Sequence, residues 1–417
     1  MADTIGSTVQ SPLSVLTPKI PVGKTMEGLM SDAGLTDASM VQRAINEYDA
    51  SGRDVFLSDH GFDRSSQYYL QVDEKLYDAK AVANVALRYE HQNPHLRVMS
   101  GGRDHANRAL MRLGFTVIDG RPTTVEGERA WRLAVWSHLQ RAEDPTRVSP
   151  AVLRAFGVYG GAQGIWVDKK RTDEVHSGGV TMGVLHTGAH YPDDISDDDV
   201  IYHYPTTGRG GSRDESEINA TKAAARLKLP IFVVAKPTPS STVRIVRLAW
   251  VDGWEERARI FLITFGERAP ESLLTADHSD EQPFSLSGNR SRNTQRNVRE
   301  RPGQRRFKLR VFQRYGPRCP LSGIAVPEMI EAAHFKPDAA DGTDDPRNGL
   351  PLNAALHRAF DAYLFSIRPD TLDVVTRPGG PTLEQLGIST PHLRDLTRRP
   401  HAEALSWRYE EWLRRQS

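Results

Sequence analysis

The strongest constraint in this chain is the stretch 329–365, where His334, Asn348, His357 and Asp361 are spread over what reads as a strand, a loop and a helix. Met329 to Phe335 is largely apolar and carries His334 near its far end. Lys336 to Arg347 is crowded with Pro, Asp and Gly, the composition of a loop. The chain returns through Asn348-Gly-Leu-Pro-Leu to Asn353, an N-cap for a helix whose Leu356, Phe360 and Leu364 recur at helical spacing. On the neighbouring face His357 and Asp361 lie four residues apart, which stacks an imidazole and a carboxylate on successive turns where both can bind one divalent cation. One histidine beside a polar loop is usually an ordinary core or surface residue. The joint spacing of His, Asn, His and Asp is what points to chemistry.

These residues resemble the HNH nuclease family, whose ββα-metal fold presents a His from a strand, an Asn from the hairpin and a metal-binding residue from the helix. Tyr315-Gly-Pro-Arg-Cys-Pro-Leu-Ser-Gly upstream and Leu-His-Arg-Ala-Phe-Asp downstream are similar to the HNH subgroup of bacterial restriction enzymes. The resemblance implies that His334 is the general base taking a proton from the attacking water, a task suited to an imidazole titrating near neutrality. It implies that Asn348 holds loop and ring in place, and that His357 and Asp361 carry Mg²⁺ or Mn²⁺ to stabilise the leaving 3′ oxygen. Two departures stand out. Ala333 occupies the place where many HNH enzymes have a further metal ligand. A single cysteine, Cys319, excludes the four-cysteine zinc site of many relatives, so no structural zinc is expected.

At 417 residues the chain has length for about three domains. Its 38% apolar and 26% charged residues are those of a soluble protein, with no apolar run able to span a membrane, no signal-peptide core at the start and no disulfide framework. A cytoplasmic protein with no membrane partner is the expectation. The net charge of +1 decides nothing about nucleic acid; clustering does. Residues 290–310 hold nine Arg or Lys against one acid, Glu300, and Arg305 and Arg306 within them are candidate contacts to the DNA backbone. The alternative is a solvated linker.

Taken in order, the chain reads as an α+β multidomain protein. A polar leader, 1–30, precedes a head domain at 31–120 of α/β texture, with a helix around Met40 to Ser51, a strand at Tyr68 to Leu70 and a helix opening at Tyr77. INEYDASGRDVFL, YDAKAVANVA and SGG…LGFTV in it resemble the N-terminal head of McrA-type modification-dependent endonucleases. Arg64, Lys80 and Arg103 could touch phosphate there, or sit in surface ion pairs. A connector at 121–148 leads to 149–268, where many short strands suggest a twisted antiparallel sheet closing towards a barrel. A basic linker, 269–300, precedes the nuclease at 301–417. That domain closes on a helix, His401 to Arg415, whose Leu405, Tyr409 and Trp412 should pack inward and whose Arg408, Arg414 and Arg415 should form a solvated edge.

Within 149–268, His190-Tyr-Pro-Asp-Asp and Tyr204-Pro-Thr-Thr-Gly-Arg-Gly-Gly resemble the SRA (SET and RING associated) domain, a PUA-like twisted β-barrel that reads modified cytosine by flipping it from the duplex. The resemblance implies that Tyr191 and Tyr204 stack on the base and that Asp194 accepts from its amine, with Asp193 beside it in the base-binding segment. Arg209 and Arg213, with the glycines at 208–211, would meet the phosphates. The alternative is an acidic surface loop.

The whole order implies a modification-dependent restriction endonuclease acting on double-stranded DNA that carries 5-methylcytosine or 5-hydroxymethylcytosine. A homodimer is expected, because one HNH site cuts one strand at a time. Two rivals remain open: an HNH enzyme directed at phosphorothioate-modified DNA, and a DNA-binding protein whose nuclease fold is silent, motivated by Ala333.

Overall fold

Asp37 starts the first helix by accepting the Ser39 amide, and Gly52, at φ 83°, ends it; α1 is Ala38–Ser51 and α2, Arg53–His60, follows directly. The structure, a computed structural model, describes residues 34–96, 99–102, 104–161, 164–186, 195–207, 212–270, 273–288 and 303–416. Its contacts divide the chain into two units, residues up to 188 with 215–248, and 189–214 with 249–417.

In the first unit, β1 (Tyr68–Val72) pairs antiparallel with both β2 (Lys75–Asp78) and β3 (Thr116–Asp119), in the order β2-β1-β3. Helices α3 (Ala79–Glu90) and α4 (Ala106–Arg112) complete the head. Val41, Ile45, Phe56, Leu70, Val82 and Leu110 form its core. The helix expected from Tyr77 begins at Ala79. Asp78 is held extended and buried, accepting from Tyr48 at 2.5 Å, from Arg53 at 2.8 and 2.9 Å and from the Ser65 amide at 2.5 Å. Arg64, one of the head's candidate phosphate contacts, is engaged with Asp54.

The long helix α5 (Val125–Ala142) places Trp131, Val135 and Leu139 in a second core and buries the ion pair Arg132–Glu128 at 2.7 Å. After α6 (Pro150–Ala155), β4 (Ile165–Val167) and α7 (Lys169–Thr172) comes β5 (Thr181–His186); then β6 (Asp199–His203), which belongs to the second unit, α8 (Arg213–Arg226) and β7 (Ile231–Ala235). Strand β5 pairs antiparallel with β4 but parallel with β7. The all-antiparallel expectation is therefore corrected. Parallel neighbours need a long crossover, and the chain from β5 to β7, with α8 in it, supplies one. A side chain at Gly183 in β5 would meet the Val158 carbonyl at 2.8 Å and the Phe232 carbonyl at 2.9 Å, so only glycine permits this close packing.

In the second unit, β8 (Ile245–Glu255) pairs from Ala249 onward antiparallel with β9 (Ile260–Phe265), itself antiparallel to β6. Among the described residues the strand pairings do not show the closed barrel of the SRA-like expectation. In the second unit Ile201, Ile260 and Leu262 share one core with α9 (Gln304–Tyr315), the hairpin of β10 (Ile330–His334) and β11 (Gly349–Asn353), and α10 (Ala354–Asp361). The pair β12 (Phe365–Ile367) and β13 (Val374–Thr376) and the helix α11 (Ala402–Arg414) finish the chain. Residues 273–288, in the stretch read as linker, pack on this core through Leu274, Phe284 and Leu286.

Arg408 corrects another expectation. It is buried, donates to the Phe360 carbonyl and lies over the rings of Phe360 and Tyr363 at 4.1 and 3.8 Å. A guanidinium stays charged when desolvated, and aromatic faces plus a carbonyl are what make that tolerable. Among the described residues no helix is long and apolar enough to cross a membrane.

Candidate active site

The site is built on the β10–β11 hairpin. Its register sets His334 opposite Gly349 and Ile330 opposite Asn353. A Cβ on Gly349 would stand 2.5 Å from the Phe307 ring and 2.8 Å from Val311, so glycine there lets α9 press against the hairpin. The result is a Phe307 ring stacked on the His334 imidazole, centroids 3.7 Å apart with 9° between planes. His334 Nε2 lies 3.3 Å from Asp344 Oδ1.

Asn348 is fully buried and ties off the loop between the two strands. Its Oδ1 accepts from the Lys336 amide at 3.0 Å, and its Nδ2 donates to the carbonyls of Lys336 at 2.9 Å and Thr343 at 2.8 Å. Asn353 accepts from the Leu356 amide at 3.0 Å and so caps α10, the helix that carries His357. Leu356 and Phe360 turn the apolar face of that helix into the core. Leu364 falls after its end.

His357 meets two carboxylates. Its Nδ1 is 2.7 Å from Glu331 Oε2 on β10, and its Nε2 is 3.4 Å from Asp361 Oδ2 one turn on. The His357 hydrogen bond holds the Glu331 carboxyl below the ordinary carboxylate range. Among the described residues no group of three or more His, Cys, Asp or Glu is arranged as a complete metal cage. The pair His357 and Asp361 nevertheless fits a hard divalent cation in part: one imidazole nitrogen, largely buried, and one exposed carboxylate oxygen, with the remaining positions left to water and phosphate.

Other expected site residues stand elsewhere. Tyr191, Asp193, Asp194 and Arg209 lie outside the described residues. Tyr204 is only 5% exposed. Its ring centroid is 4.5 Å from that of Phe261, Arg259 lies over it and its hydroxyl donates to Glu256. Burial and the Glu256 charge push that phenol far above its usual range. Arg213 opens α8 at the surface. Arg305 donates to the Asp199 carboxylate at 2.7 Å, and Arg306 to that of Asp252 at 2.8 Å, where burial raises the Asp252 carboxyl.

Phe307, Glu331 and Asp344 were not legible as site residues. Alternation along β10 sets Glu331 on the face of Ala333, the place of the missing ligand, and that was the available signal. Phe307 is hidden in a basic run and Asp344 among the acids of a polar loop.

A histidine at a hairpin end, a buried asparagine bracing the loop and a helix histidine flanked by carboxylates are the residue set that the HNH resemblance leads one to expect. Comparison with known proteins agrees. The HNH endonuclease family matches residues 319–368, and the ScoMcrA-like N-terminal head domain family matches residues 34–119. The chain therefore carries a ScoMcrA-like N-terminal head domain and an HNH endonuclease domain, and the second makes it a DNA endonuclease. Similar solved structures include a modification-dependent TagI restriction endonuclease, 18% identical over 64% of this chain and 90% of that one, with a TM-score of 0.27. Another is the type IV phosphorothioation-dependent restriction endonuclease ScoMcrA, 14% identical over 91% of this chain and 100% of that one, with a TM-score of 0.22. Comparison with curated proteins gives no match.

Proposed function

We propose that this chain is a modification-dependent restriction endonuclease that cuts duplex DNA carrying 5-methylcytosine or 5-hydroxymethylcytosine. The observation that carries the cutting is the arrangement of His334, Asn348 and His357 around one hairpin and helix. His334, its ring held flat by Phe307, takes the proton of the attacking water. Asn348 keeps the loop shut behind it, and His357 with Asp361 would hold a divalent cation. When bound, that cation supplies charge neutralisation at the phosphate and the leaving oxygen.

The choice of mark rests on sequence. Tyr191, Asp193 and Asp194 precede β6, and Tyr204, Arg209 and Arg213 follow it, in the pattern that resembles a cytosine reader. Arg305 and Arg306 are the backbone contacts of this reading once they exchange Asp199 and Asp252 for phosphate. Two chains supply the two cuts of a double-strand break.

A second reading, phosphorothioate-modified DNA, draws on the head-domain match, since the ScoMcrA for which that head is named is a phosphorothioation-dependent enzyme. One experiment separates the two. A defined duplex is prepared unmodified, 5-methylated, 5-hydroxymethylated and phosphorothioated, then offered with Mg²⁺ or Mn²⁺ to wild type, Tyr191→Ala and His334→Ala. Cutting confined to the cytosine-modified duplexes and lost in either variant supports the proposal. Cutting of the phosphorothioate duplex alone replaces it with the second reading. Equal cutting of all four leaves a nonspecific nuclease, and no cutting by wild type means a silent fold.

A further inference from the structure

His357 is gripped at both ring nitrogens by carboxylates, and the two grips differ. The 2.7 Å between Nδ1 and Glu331 Oε2 is the length of an N–H donating to a carboxylate. The 3.4 Å between Nε2 and Asp361 Oδ2 is longer than such a bond. A neutral imidazole has one N–H, and the short contact takes it, which leaves a lone pair on Nε2.

We propose that Glu331 is a positioning residue for the nuclease's metal: by accepting the Nδ1 proton of His357 it fixes the tautomer and the ring angle that aim the Nε2 lone pair, beside Asp361, at a divalent cation. This rests on the reading of His357 and Asp361 as the metal pair. Two ligands about 2.1 Å from one cation, set between a right angle and a tetrahedral angle, stand roughly 3.0 to 3.4 Å apart. The observed Nε2 to Oδ2 separation fits that geometry without movement of either side chain. The two grips come from different elements, β10 and α10, so Glu331 also fixes the helix histidine relative to the strand that ends in His334. Ala333, on the face of β10 that bears Glu331, offers no ligand atom. With so few protein ligands, the aim of His357 carries more of the affinity, and a carboxylate behind a metal-bound histidine is the usual means of aiming it.

The rival is an ordinary ion pair with no bearing on metal. The test is Mn²⁺ binding to the full chain, followed by electron paramagnetic resonance, for wild type, Glu331→Leu, Glu331→Gln, His357→Ala and Asp361→Ala, with thermal unfolding as the fold control and ¹⁵N signals of His357 reporting its tautomer. Glu331→Leu is expected to weaken Mn²⁺ binding about 10- to 100-fold and to move His357 towards the Nε2–H form. Glu331→Gln, whose carbonyl oxygen still accepts from Nδ1, is expected to keep the tautomer and recover part of the affinity. It also serves as the readout if the leucine variant does not fold. Mn²⁺ binding unchanged at Glu331 variants but lost in His357→Ala overturns the proposal and leaves the metal pair standing. Binding lost equally in Glu331→Leu and Glu331→Gln with the tautomer unchanged overturns it too, making Glu331 a direct ligand. Binding indifferent to His357→Ala and Asp361→Ala overturns the metal pair itself.

Discussion

The Phe307 ring lies flat on the imidazole of His334, 3.7 Å between centroids and 9° between planes. Phe307 sits two residues beyond Arg305, which donates to the carboxylate of Asp199 on β6. One helix thus links β6 to the ring proposed as the general base.

Loosening that stack should slow chemistry more than binding. Phe307→Leu keeps an apolar filler but removes the flat face, and misplacement of a reacting group by about an ångström can cost on the order of 100-fold in rate. Single-turnover cleavage should fall by 10- to 100-fold while DNA affinity, read by fluorescence anisotropy, stays within a few-fold. A variant that cuts at the wild-type rate would show that His334 needs no such support.

Asn348 should prove structural as well as catalytic. Its side chain answers one amide and two carbonyls of the loop between β10 and β11, and it is fully buried. Each buried partner left unanswered costs about 1–3 kcal/mol. Asn348→Ala is expected to lower stability by a few kcal/mol in urea unfolding. Asn348→Asp should be worse, since it sets carboxylate oxygens against the carbonyls of Lys336 and Thr343. Equal stability of Asp and wild type would refute the hydrogen-bond assignment.

Arg306 offers a sharper contrast, because Asp252 is almost fully buried and Arg306 is its ion-pair partner. Burial raises the Asp252 carboxyl, so the folded state favours the protonated acid: the stabilisation is present below the ordinary value of 3.8 and lost as pH rises through the raised one. At neutral pH the charge is a burden that Arg306 offsets. Arg306→Ala should therefore destabilise the protein, and Asp252→Asn added to it should restore most of the loss. If Arg306→Ala instead leaves stability intact and lowers the salt dependence of DNA binding by about one counterion, Arg306 is a phosphate contact.

Local elements were readable where the signal was local. The Asn353 cap, the strand ending in His334 and the apolar spacing of Leu356 and Phe360 all depend on a few neighbouring residues. What failed depended on distant partners. Arg408 reads as solvated because charge usually is, yet two rings and a carbonyl far off in sequence bury it. The parallel pairing of β5 with β7 has no sequence signature beyond the room for a crossover. The burial of Tyr204 against Phe261 likewise has no signal nearby in sequence. Glu331 joins the site only through the pairing of β10 with a helix that begins beyond β11.

His138 in the first unit supplies a test by pH. Its Nδ1 accepts the Leu76 amide at 2.9 Å and its ring meets Phe156 edge-on at 4.9 Å. Burial above all, then the charges of Arg53 and Lys75, pull its pKa down from 6.5 to about 4. The unfolded chain takes up a proton below about 6.5 and the folded one does not until about 4. The contribution is therefore complete above the higher value and is lost as pH falls through the interval. A gap of that size is worth on the order of 3 kcal/mol. His138→Gln keeps an acceptor for the Leu76 amide but cannot titrate, so unfolding measured between pH 4 and 7 should show a steep loss of stability on acidification in wild type and a much shallower one in the variant. Parallel profiles would mean that His138 accepts its proton in the folded state, which the Leu76 hydrogen bond forbids unless that amide first lets go.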